Sequence, residues 1–159
     1  MTARLTTGLA ALLLLASSAL AGIAERPGWK VHPTAQSYPE LIESLDAAAK
    51  ANKMGLVTRA SATVGARKVL DKTIPGNMVV GIYHPRFAVP MLEASIQAGI
   101  EAPIRVYLTE NPDGTATLSY KTPSAVFAPY FDDGGAKLKA LAAELDEVFA
   151  KIAAQAAGN

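Results

Sequence analysis

Of all the residues in this sequence, His84 is the best placed to do chemistry. It follows the apolar run Met78–Tyr83 and precedes Pro85. An imidazole titrates near neutrality, so at the end of a buried strand it could bind a ligand or move a proton, with Tyr83 and Tyr120 as companions. In the same place it could instead order a loop through one hydrogen bond. No acid–base partner stands near it in the sequence, so the ordering role is the expectation. A second constellation lies downstream. Arg105 and Tyr107 fall on one side of an alternating segment, and the next such segment would set Thr117, Ser119 and Lys121 opposite them. An Arg with a Tyr can grip a carboxylate or phosphate by charge-assisted bonds. The plainer reading is cross-strand pairing on a solvated or dimer-covered face, and that is what we expect here. His84, Arg105, Tyr107, Ser119 and Tyr120 are therefore the candidate ligand-binding residues, and no catalytic residue is assigned.

Other chemistries find less support. His32 is the only other imidazole and the chain has no cysteine, so thiol catalysis, Cys-ligated zinc, disulfides and covalently attached c-type haem are all excluded. No paired-histidine spacing is present, and a transition-metal site would need carboxylates or methionines from afar. Met54, Met78 and Met91 each fall where core filler is expected. Asp132-Asp133 is followed by Gly134-Gly135, which lacks the further oxygens of a calcium loop; acid at a helix start is the better reading. Gly76, Gly81 and Gly99 are too scattered for a phosphate-cradling loop. No metal and no cofactor is expected.

The elements that must position these residues can be read from periodicity. Ser37-Tyr38-Pro39-Glu40 is a capping-box start, followed by a stripe of Leu41, Leu45, Ala48 and Ala49, with Gly55 as the stop. Leu56–Ala60 reads as a strand. Gly65–Asp71 reads as a short helix with Ala66, Val69 and Leu70 turned inward. Met78–Tyr83 suits a buried strand. A helix over Pro85–Gly99 follows, regular from about Val89 because Pro90 is tolerated only near a first turn; Leu92 and Ile96 share one of its faces. Pro103–Thr109 and Thr115–Tyr120 alternate around the turn Asn111-Pro112-Asp113-Gly114, with Ile104, Val106, Leu108, Ala116, Leu118 and Tyr120 on one face. Pro123–Tyr130 reads as a loop anchored by Phe127, Tyr130 and Phe131. From Lys137 an amphipathic helix carries Leu138, Leu141, Leu145, Val148, Phe149 and Ile152, and Ala153–Asn159 is expected to fray.

The N-terminus leads us to expect a chain outside the cytoplasm. Arg4, a leucine-rich run over Leu9–Ala16 and the small residues of Ala19-Leu20-Ala21 describe a secretory signal peptide over residues 1–21. The apolar run is short for a membrane anchor. Residues 22–36 are expected to be a leader with an edge strand near Trp29–Thr34, where Pro33 suits an edge, and residues 37–155 one α+β domain. Cleavage removes Arg4, one of 15 basic residues, and none of the 14 acidic ones. The balanced mature chain has no field to gather nucleic acid or anionic lipid, so neither is an expected partner. A periplasmic or secreted location follows.

Gly81-Ile82-Tyr83-His84-Pro85, Gly99–Tyr107, and Asp113-Gly114 with Leu118-Ser119-Tyr120 and Pro123 together resemble the domain-of-unknown-function family 302 in order and spacing, over about Tyr38–Tyr130. The resemblance implies an α+β fold, an antiparallel sheet with helices mainly on one face in a TATA-box-binding-protein-like layout, and a homodimer. It implies no activity. Many members have Asn where this chain has His84; some have Cys at the position of Ile104 after a Leu-Pro pair that is Ala102-Pro103 here. Others have His where Ser61-Ala62-Thr63 stands. No thiol- or His-dependent role therefore carries over. The expectation is an exported non-enzymatic ligand-binding or assembly module, using the face around Arg105, Tyr107 and Ser119 or a dimer seam there, for a small molecule the sequence does not identify. The alternative is a small-molecule or metal-handling protein, or an enzyme, centred on His84.

Overall fold

The computed structural model describes residues 23–158; the signal peptide expected over residues 1–21 lies outside them. The strands are β1 (Trp29–Ser37), β2 (Gly55–Ala60), β3 (Asn77–Tyr83), β4 (Ile104–Glu110) and β5 (Thr115–Lys121), and the helices are α1 (Tyr38–Ala51), α2 (Ala62–Leu70), α3 (Pro85–Ala94), α4 (Pro123–Phe127) and α5 (Phe131–Ala157). One antiparallel sheet has the order β1-β5-β4-β3-β2. The fold is α+β, as its periodicities require. None of the helices among the described residues is long and apolar enough to cross a membrane.

Alternation builds the core. Val80, Ile82, Ile104, Val106, Leu108, Ala116 and Leu118 point to one face of the sheet, where they meet Leu41 and Leu45 of α1 and Leu138, Leu145, Phe149 and Ile152 of α5. These side chains are essentially removed from water, and each large one contributes about 1.5–3 kcal/mol. The start of α1 is closed by Glu40, whose Oε2 accepts from the Ser37 N–H at 2.8 Å and from the Ser37 hydroxyl at 2.7 Å. The β4–β5 turn is closed where Gly114 N–H donates to Asn111 O at 3.0 Å and Asp113 Oδ1 accepts from Thr115 N–H at 3.0 Å.

Several boundaries differ from the sequence expectation, each for a local reason. The edge strand expected near Trp29–Thr34 is present and runs on to Ser37: β1 pairs with β5 from Trp29–Lys121 to Pro33–Thr117, and the register breaks between Pro33 and Ser37. Helix α2 buries none of its residues. Polar bonds hold its first turn instead. Ser61 Oγ donates to Asn77 O at 2.7 Å, and Thr63 Oγ1 donates to Pro75 O at 2.9 Å and accepts from Asn77 N–H at 3.0 Å. Val69 and Leu70 are therefore 79% and 62% exposed rather than inward.

Helix α3 starts at Pro85, not near Val89, because His84 caps it. Pro90 is then interior, on the exposed side with Arg86, where the carbonyl it leaves unbonded can meet water. Phe87, Ala88 and Met91 turn inward, while Leu92 and Ile96 do not. Pro123–Phe127 is a short helix rather than loop; Thr122 caps it by accepting from Ala125 N–H at 3.3 Å. Helix α5 is interrupted at Gly135, whose φ of 57° and ψ of −148° are open to glycine, so its regular part does begin near Ala136. Its tail does not fray. Ala153, Ala156 and Ala157 are buried, and Gln36 Nε2 donates to Ala156 O at 2.7 Å. Small side chains there let the helix run close to its neighbours.

Candidate functional site

The sheet face away from the core carries three cross-strand rows, fixed by register because paired residues share a face. The middle row runs Val31–Ser119–Tyr107–Val79–Ala60. One row toward β1's start lie Trp29–Lys121 and Arg105–Gly81–Thr58; continuing the β4–β5 register one step past Val106–Tyr120 sets Lys121 beside Arg105. On the other side lie Pro33–Thr117–Thr109–Asn77. Rows are about 7 Å apart. The alternating segments on β4 and β5 thus bring Arg105, Tyr107 and Ser119 together, as the sequence spacing implied.

This face is not a flat solvated surface. A cavity of about 690 Å3 opens over it, lined by Arg105, Tyr107, Ser119, Lys121, Trp29, Val79, Asn77, the Ala60–Ala62 segment, Ile104, and Glu101 and Val126 from outside the sheet. Its volume is that of small-molecule sites. On β3 beside Arg105, Gly81 allows close packing: a Cβ there would stand 2.2 Å from Thr58 Oγ1 and 2.6 Å from Pro103 Cγ, so only glycine lets those side chains lie over the strand.

The polar groups of the wall differ in how far they are engaged. Asn77 is spent: its Oδ1 accepts from Ala62 N–H at 3.1 Å and its Nδ2 donates to Pro75 O at 3.2 Å. Glu101 accepts from the Tyr130 hydroxyl at 3.0 Å, and that bond holds the phenol above its usual pKa. The Lys121 ammonium stands 6.0 Å from the Trp29 ring centroid. Arg105 is exposed, and neither it nor Lys121 is in an ion pair among the described residues. Ser119 Oγ is buried in the floor without a hydrogen-bond partner.

His84 and Tyr120 stand apart from this group. His84 Nδ1 accepts from Arg86 N–H at 3.0 Å, which makes it the cap of α3. The space beside it is only about 30 Å3, room for about one water, and apart from His84 and Tyr83 its wall is apolar, with Met54, Phe87, Met91, Phe127, Leu145 and Phe149. Tyr120 borders the large cavity with its strand, but its register with Val106 turns its ring to the core. There it stacks on His32 at 6.1 Å and leans on Phe149 at 5.8 Å. Burial first, then the Asp146 carboxylate, push its hydroxyl up to about 12. His32 Nε2 is buried without a partner, and burial, followed by the Lys30 charge, lowers its pKa.

Trp29, Val79, Glu101 and Val126 were not among the candidates. Period-two alternation names the polar side of a hairpin, but the rest of this wall comes from strands and turns distant in sequence, whose register only the closed sheet supplies.

The family model described as "Domain of unknown function DUF302" matches residues 30–156. A solved structure, that of an uncharacterized conserved protein DUF302 from Bacillus stearothermophilus, is similar with a TM-score of 0.71 at 17% identity, covering 81% of this chain and 98% of that one. At that identity the likeness concerns the fold alone. No curated protein matches the chain. A match over most of its length, with the same fold in a solved relative, means that the chain belongs to the family of Domain of unknown function DUF302.

Proposed function

We propose that this chain is an exported, non-enzymatic binding module that holds a small molecule in the cavity over its open sheet face. One observation carries the reading: a cavity of about 690 Å3 whose wall includes a guanidinium without a carboxylate partner among the described residues. A planar guanidinium of this kind can grip a carboxylate or phosphate through paired charge-assisted bonds. Neither imidazole borders the cavity: His84 caps α3, and His32 stacks on Tyr120 on the core side. A reaction needing a base near neutral pH would therefore fall to Glu101, already engaged by Tyr130.

The test is a 15N–1H NMR titration of the mature protein with a panel of small acids, amines and neutral aromatics. Binding should move the amides of Tyr107, Ser119 and Val79. Movement confined to His84, Phe87 and Met91 would return the site to the capped helix. A second use of the surface is favoured by α2, which borders the cavity and buries no residue: two copies meeting through Val64, Val69 and Leu70. Light scattering then gives twice the monomer mass, and Val69→Glu with Leu70→Glu restores the monomer. A monomer at high concentration in the parent chain removes this use.

A further inference from the structure

We infer that the ligand of this cavity is an organic acid, an apolar body carrying a single carboxylate. This rests on the binding reading above and adds the chemical class. The wall holds two cations, Arg105 and Lys121, against one carboxylate, Glu101, so it complements one negative charge. A doubly charged head would leave charge unmatched and face Glu101 as well. Arg105 is the recognition element: its planar fork matches the two oxygens of a carboxylate, and it forms no ion pair among the described residues. The Trp29 ring keeps Lys121 near its face, at 6.0 Å from the centroid, which supports the charge of the Arg105 end of the cavity. Away from these groups the wall carries a substantial apolar part, Ala60, Ala62, Val79, Ile104 and Val126, with Val79 paired to Tyr107 across the strands. An inorganic anion would leave that surface uncovered; an apolar body removes it from water.

The experiment compares four probes on the mature protein by NMR titration: phenylacetate, phenylethanol, phenylethylamine and inorganic phosphate. Phenylacetate should move the Tyr107, Ser119 and Val79 amides and bind about tenfold or more tightly than phenylethanol, the effect of one charge-assisted contact. Arg105→Gln should cancel that advantage and leave phenylethanol unchanged. Lys121→Gln should reduce it by less. Arg105 is exposed, so its variant keeps the fold. Equal binding of acid and alcohol, better binding of the amine, phosphate matching phenylacetate, or an Arg105→Gln variant that still prefers the acid each overturns the assignment while the cavity stands as a binding site. If none of the four moves these amides, the assignment and the binding reading both fall.

Discussion

Ser119→Ala should make the unliganded protein more stable. The Ser119 side chain is fully buried in the sheet, and its Oγ meets no partner. A hydroxyl in that state costs about 1–3 kcal/mol in proteins. Removing one oxygen leaves a void of roughly 10 Å3, worth roughly 0.2 kcal/mol against the variant, and the weaker strand preference of Ala subtracts a few tenths more. The net gain is about 1 kcal/mol, which for a domain of this size raises Tm by about 3–5 °C. Two residues back on the same face, Thr117 gives the opposite sign. It is 2% exposed and its Oγ1 donates to Asn111 Oδ1 at 3.1 Å, so Thr117→Val breaks a made bond and should lose about 1–2 kcal/mol. Urea unfolding with an unchanged m-value reads both. If Ser119→Ala is destabilised as much as Thr117→Val, the Ser119 hydroxyl has a partner and the reasoning fails.

Gly81→Ala should destabilise by about 1–3 kcal/mol through overpacking, against a gain of about 0.4–1 kcal/mol from a stiffer unfolded chain, because its Cβ meets Thr58 Oγ1 and the Pro103 ring. The double variant with Thr58→Ala should recover part of the loss; a fully stable Gly81→Ala in urea melts contradicts the packing. His32 predicts an acid-side loss. Its folded pKa lies below the ordinary 6.5, so the unfolded chain binds more protons; the contribution is complete above pH 6.5 and fades as pH falls from there toward the folded value. His32→Gln should flatten that part of the stability curve, and an unchanged slope between pH 6.5 and 5 would contradict it. Protein purified from its native periplasm or medium should begin at Gly22, which N-terminal sequencing checks; an intact Met1 would refute export by cleavage.

The parts of the fold that could be read from sequence were those where one local period dictates burial. Leu41 and Leu45, the Ile104–Val106–Leu108 alternation and the Leu138–Leu145–Phe149 stripe all sit in the core. Val69 and Leu70 misled because an apolar stripe states a preference, and α2 is held by Ser61, Thr63 and Asn77 without satisfying it. Pro90 misled in the other direction: a helix of ten residues with its carbonyl gap on the wet side tolerates an interior proline. The alanine tail looked weak because local sequence cannot show that Gln36, 120 residues away, bonds to Ala156.

The candidate site shows the same limit more sharply, since its residues and the core's are interleaved on the same two strands. Ile104, Val106 and Leu108 fill the core while Arg105 and Tyr107 face the cavity. A slip of one residue in β4 would exchange the two sets. The burial of Val106 and Leu108 therefore fixes where Arg105 points, and the hydrophobic pattern is the reason its side chain was foreseeable at all. What stands around it was not, because Trp29, Val79 and Glu101 reach the cavity from β1, β3 and the turn before β4. The same interleaving explains how Ser119 can be both buried and polar. Its neighbours Leu118 and Tyr120 are committed to the core, so its own side must face the rows of β1 and β4, where Val31 and Tyr107 stand beside it. Burial of Leu118 and Tyr120 thus decides where the Ser119 hydroxyl lies, and because it meets no partner there an apolar residue of similar size would be more stable in that position.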